Sequence, residues 1–127
     1  MKLHLTTAEN NYLITGYGLD KSDSFVEVNK QKYTQNLIVM ADKLILDWQA
    51  SDFASLNATH FELLINLKPE VVLLGAGGKH QFLHPKIVQQ LTKNNIPLES
   101  MTTAAACRTY NILMSEGRNV AVMLTYS

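Results

Sequence analysis

Arg108 and Asn111 stand three residues apart in the stretch AAACRTYNILMSEGRN, residues 104–119, whose apolar spacing predicts a helix over Thr103 to Glu116. A guanidinium presents a rigid fork of donors and a carboxamide presents both donors and acceptors, so the pair could hold a carboxylate or another small anion. On a helical wheel Ala105, Leu113 and Met114, with Ala106 and Tyr110, cover most of the circumference, which predicts a largely buried helix. An arginine buried without partners is costly. Arg108 must therefore reach solvent, pair with a carboxylate such as Glu116, or face a cavity or a partner.

A second group of donors precedes this helix. Gly75-Ala76-Gly77-Gly78 follows an apolar strand, and Thr102-Thr103 stands at the helix start. Open α/β sheets keep their sites at the carboxyl ends of parallel strands, and glycine-rich loops and helix N-termini both expose N–H groups to anions. Arg108 lies about 7 Å up the helix from Thr103 and leans back toward that edge. The candidate anion or partner pocket is therefore Gly75, Gly77, Gly78, Thr103, Arg108, Thr109 and Asn111. The loop lacks the Lys-Ser/Thr of a P-loop and the spacing of a dinucleotide fingerprint. Thr103 also reads as a helix cap, and Gly117 as a left-handed stop with Arg118 at the negative end of the helix dipole.

No other set of side chains points to a reaction. Cys107 has an apolar setting and no local base, so it reads as a core packer in a reducing compartment. His80 and His84 are four apart but precede Pro85 in a loop, which does not make a helical metal pair; His4 and His60 read as surface residues. Asp42, Asp47 and Asp52 could do acid–base work only if two of them met in space. Gly-x-Ser-x-Gly and His-Glu-x-x-His are both absent. The expectation is no catalytic residue, no cofactor and no metal.

The elements that must position Arg108 follow from the apolar pattern. Tyr12 to Tyr17 and Ser24 to Val28 are β-prone and end in turn chemistry, as does Leu3 to Leu5; Tyr33 to Met40 and Lys43 to Trp48 continue this β layer, with Trp48 as a core anchor. The rhythm then changes. Ala58 to Leu67 has helical spacing with Asn57 as cap, and Val71 to Gly75 is apolar on both faces, as a covered central strand requires. A helix starting at Pro85 and ending near Asn94-Asn95, a strand within Ile96 to Met101, the Arg108 helix and a closing strand over Asn119 to Tyr126 complete the chain. Strand, Pro85 helix and strand make a βαβ unit with parallel strands. The fold class is α/β: a single domain over 1–127, in three layers, with a central mixed, mostly parallel sheet, helices and an added β layer.

Totals set the remaining bounds. The chain has 127 residues, 46% of them apolar, enough for one core without disulfides. Eleven basic and eleven acidic residues cancel, and no basic run exists to drive counterion release, so nucleic acid is not an expected partner. No apolar run approaches the roughly 20 residues of a membrane span, and Met1-Lys2-Leu3-His4-Leu5 resembles neither a signal nor a transit peptide. A cytoplasmic protein is expected.

Several motifs look familiar. Ile14-Thr15-Gly16-Tyr17-Gly18, Val71 to Gly77, Phe82-Leu83-His84-Pro85, Met101 with Thr103, Ala106-Cys107-Arg108-Thr109-Tyr110-Asn111-Ile112-Leu113 and Glu116-Gly117-Arg118 together span most of the chain. They resemble a family of small domains of unknown function that includes archaeal and bacterial hypothetical proteins and the mitochondrial assembly factor 3 of respiratory complex I. The resemblance implies a three-layer fold around a central mixed sheet with its last strand antiparallel, no established catalytic activity, and in the mitochondrial branch binding to another assembly factor and to early complex I subunits. This chain departs from the family at Ala76, where a threonine is usual between the glycines. The expected function is a non-enzymatic, bacterial protein-binding or assembly-type factor whose partner is another protein. The alternative is a small-molecule or anion-binding domain, or an enzyme, with a pocket at the Gly75–Gly78 loop and Arg108. A homo-oligomer is compatible with either.

Overall fold

The computed structural model describes residues 11–18, 24–46, 48, 53–78, 81 and 83–126; the expected strand at Leu3 to Leu5, His4, Asp47, Asp52, His80 and Phe82 lie outside the described residues. Strands β1 (Ile14–Gly18), β2 (Phe25–Val28) and β3 (Gln31–Tyr33) form an antiparallel three-stranded sheet. Asn29 (φ 49°) and Lys30 (φ 73°) both take positive φ between β2 and β3, the two-residue primed turn whose twist suits a hairpin. β4 (Leu37–Met40), β5 (Lys43–Ile45), β6 (Val71–Ala76), β7 (Leu98–Met101) and β8 (Val120–Thr125) form a five-stranded sheet in the order β5-β4-β8-β6-β7.

Alternation along the central strands builds two cores. Ile38, Met40, Val72, Leu74, Ala121 and Met123 face one way, onto Trp48, Phe53, Phe61, Leu64 and Leu91. Helices α1 (Thr59–Leu67) and α2 (Gln89–Lys93) supply three of those side chains and cover that face. Leu37, Val39, Val71, Leu73, Val120, Val122 and Leu124 face the other way, onto Ala106, Cys107, Tyr110 and Met114 of helix α3 (Thr103–Ser115) and onto Ile14, Val26 and Val28 of the small sheet. The three layers are thus α1 and α2, the five-stranded sheet, and α3 with the small sheet. Trp48 anchors the first core, with its indole N–H donating to the His60 carbonyl at 3.1 Å.

Four differences from the sequence reading have local causes. β8 runs parallel to β6 and antiparallel only to β4, so the last strand does not oppose its sheet. The α3 crossover returns the chain to the end where β7 began, which makes β8 parallel. Residues 85–87 form a turn rather than the first turn of a helix, because the His84 imidazole accepts the Lys86 N–H at 3.1 Å and the His84 carbonyl accepts that of Ile87 at 2.9 Å. His60 is half-buried rather than on the surface, its Nδ1 accepting the Asn57 N–H at 3.0 Å. α3 is covered along one stripe only: Ile112 is 57% exposed, and Ala105 and Leu113 are half-buried. Sheet and small sheet together reach less than its full circumference.

Candidate functional site

Gly75, at the carboxyl end of β6, stands between Met101 of β7 and Leu124 of β8, so the expected edge is built as the βαβ reading required. Thr103 organises it. Its hydroxyl accepts the Gly77 N–H at 2.8 Å and donates to the Thr125 carbonyl at 2.6 Å, while its own N–H donates to the Gly77 carbonyl at 2.9 Å. The Thr125 hydroxyl closes the set by donating to the Gly75 carbonyl at 2.7 Å. A β-carbon on Gly75 would stand 3.0 Å from the Thr103 Cα, so glycine is what lets α3 start this close to the strand. The helix cap is Thr102, whose hydroxyl accepts the Ala105 N–H at 3.3 Å; Thr103 is freed from capping because it is buried against the sheet. Gly78 is exposed beyond this clasp.

Arg108 and Asn111 face a different neighbour, β1. Asn111 accepts the Ile14 N–H at 3.0 Å and donates to the Ile14 carbonyl at 2.6 Å. Arg108 is exposed and donates from Nη1 to the Tyr17 hydroxyl at 2.9 Å. Between helix and strand lies a recess of about 140 Å³ lined by Ile14, Thr15, Gly16, Tyr17, Cys107, Arg108 and Asn111. The candidate residues therefore separate into two groups: Gly75, Gly77 and Thr103 in the clasp, Arg108 and Asn111 at the recess. Gly78 and Thr109 line neither. Ile14 to Tyr17 are not among the expected site residues because a β-prone stretch with a Gly-Tyr-Gly turn says nothing of a helix more than ninety residues on.

The electrostatics of the recess are simple. Burial pushes the Cys107 thiol up to about 12, with the Arg108 charge pulling the other way, so the thiol is neutral. Burial likewise raises Tyr110, whose hydroxyl donates to the Tyr12 carbonyl at 2.7 Å. Neither group is poised to ionise near neutrality. At the opposite end of α3, Gly117 (φ 84°) and Arg118 complete the predicted stop: their N–H groups donate to the Met114 and Leu113 carbonyls at 3.0 and 3.1 Å. Arg118 also pairs with Glu70 at 3.3 Å. His84 and Asp42 are exposed, and no group of His, Cys, Asp and Glu able to hold a metal occurs among the described residues.

The family described as "Protein of unknown function (DUF498/DUF598)" matches residues 14–125, from the first residue of β1 to the last of β8. The chain belongs to this family. Among DUF498/DUF598 relatives, the "13 kDa major membrane protein" of Francisella tularensis subsp. holarctica is 34% identical over 100 residues, covering 76% of this chain and 80% of the relative. The mouse "NADH dehydrogenase [ubiquinone] 1 alpha subcomplex assembly factor 3" is 32% identical over 82 residues, 63% of this chain but only 44% of the mouse protein's own length. A crystal structure of a Bordetella parapertussis protein superimposes with a TM-score of 0.83 at 32% identity, covering 92% of this chain and 97% of that one. The mixed α/β architecture is thus shared with that solved structure.

Proposed function

We propose that this DUF498/DUF598 domain is a non-enzymatic assembly-type factor that binds another protein through the outer face of β1 and α3. The carrying observation is the contact between Arg108 and the 37%-exposed Tyr17, one helical turn from Ile112, which is 57% exposed. Tyrosine and arginine are among the residue types enriched where protein interfaces concentrate their binding energy, and a large exposed aliphatic beside them supplies the apolar component. The similarity to complex I assembly factors supports a respiratory membrane complex in maturation as the class of client. No helix among the described residues is long and apolar enough to cross a membrane, and the proposal has the protein work from the bacterial cytoplasm on a membrane-bound client.

The test is genetic and biochemical together. A strain lacking the protein should contain several-fold less assembled NADH:quinone oxidoreductase on native gels. Wild type should restore it, whereas Ile112→Asp, on a side chain the core does not use, should not. Unchanged levels of the assembled enzyme in the deletion strain overturn the proposal. A second reading, a domain for a small free anion, draws on the same guanidinium at the recess; it predicts anion binding with no effect on the client.

A further inference from the structure

We infer that the recess between β1 and α3 receives the carboxylate of an aspartate or glutamate on the partner protein, held by Arg108 and Tyr17, with an apolar neighbour of that acid lying on Ile112. This rests on the protein-binding reading.

The polar groups around the recess decide its ligand by elimination. Asn111 spends its carboxamide on the Ile14 backbone, and the Thr15 hydroxyl donates to the Glu27 carboxylate at 2.7 Å. The Cys107 thiol is buried. Arg108 remains. Among the described residues its hydrogen-bond partner is the Tyr17 hydroxyl, and the ion pairs among them are Lys43 with Asp42 and Arg118 with Glu70, so Arg108 forms no ion pair among them. A guanidinium carries five N–H donors, and a phenol oxygen that accepts one of them keeps its own proton to donate. What faces outward is a fork of donors bearing positive charge. Its complement is an acceptor-only, negatively charged, planar group.

Size and surroundings narrow the source. A recess of about 140 Å³ admits the end of an acidic side chain, whereas cofactor-sized ligands occupy roughly 300–1,000 Å³. Its floor and walls are Ile14, Gly16 and Cys107, which suit the methylenes beneath a carboxylate. Ile112 lies one turn further along α3, about 6 Å away, and is exposed. An acid with an aliphatic neighbour therefore meets charge and apolar surface at matching spacing, which a free carboxylate ion does not use.

The experiment titrates the isotope-labelled protein with N-acetyl-glutamate N-methylamide, its glutamine counterpart, and propionate, following backbone and Arg Nε resonances. The glutamate probe should shift Gly16, Tyr17 and Arg108 saturably, weaken at higher ionic strength, and bind at least tenfold more tightly than the glutamine probe. Arg108→Gln should abolish this binding, and Tyr17→Phe should weaken it several-fold. Equal binding of the two amide probes, or glutamate binding that survives Arg108→Gln, overturns the inference. Propionate binding tenfold tighter than the glutamate probe also overturns it, in favour of a free carboxylate. If the glutamate probe binds as expected while the deletion strain assembles its client normally, the carboxylate clamp stands and the assembly reading falls; the reverse result separates them the other way.

Discussion

Asn111 does for β1 what a neighbouring strand would do: its carboxamide both accepts from and donates to the backbone of Ile14, at 3.0 and 2.6 Å. A side chain from α3 thereby ties the small sheet to the helix and orients β1 beside Arg108. Replacing Asn111 with Ala leaves the buried Ile14 with an N–H and a carbonyl lacking partners. The expected loss is about 2–3 kcal/mol, read as a lower urea midpoint, with faster amide exchange at Ile14.

Thr103→Val keeps the shape of a buried side chain and removes its hydroxyl. The Gly77 N–H and the Thr125 carbonyl then lose their partner together. Urea unfolding should show a cost of about 2–4 kcal/mol, whereas Thr103→Ser, which keeps both bonds, should cost about 1 kcal/mol for the lost methyl.

Lys30 sits at φ 73°, where a β-carbon crowds the following carbonyl. Lys30→Gly should stabilise the hairpin by about 0.5–1 kcal/mol, seen as a higher Tm, because the Lys30 N–H that donates to the Thr15 hydroxyl is a backbone group and persists.

Cys107 should resist iodoacetamide at pH 8 in the native protein and react in denaturant, as mass spectrometry would show. The sign of its pH linkage follows from a raised folded value. The contribution to stability is fully present below the thiol's ordinary 9.0 and is lost as pH climbs from there through about 12. Cys107→Ala should flatten the part of the alkaline unfolding curve that this group supplies.

Much of the fold was legible because a run apolar on both faces marks a covered central strand. Val71 to Gly75 read that way, and β6 does send Val72 and Leu74 into one core and Val71 and Leu73 into the other. The stop at Gly117 followed from local chemistry, a contact between residues close in the chain. The expected cap did not, since Ala58 stands at the cap position of α1 and Asn57, one residue before it, accepts the Thr59 N–H. The site was half legible. Arg108 and Asn111 announced themselves as polar groups on an apolar helix, yet a helical wheel assigns neighbours on the helix and not across it, so Tyr17 and Ile14 stayed hidden. Thr103 read as a cap for the same reason: its partners are Gly77, in the turn after β6, and Thr125, at the end of β8, and only the assembled sheet brings them within reach.

The strand order β5-β4-β8-β6-β7 also governs how the chain can be made. β4 and β6 do not pair with each other; both wait for β8, which is translated after every other strand of the sheet. A nascent chain halted before residue 120 therefore has two open hydrophobic half-sheets with the strand that joins them missing. Such a molecule presents unpaired edges to the cell, so ribosome-bound intermediates of this protein should be clients of chaperones until the final strand emerges and zips the halves together.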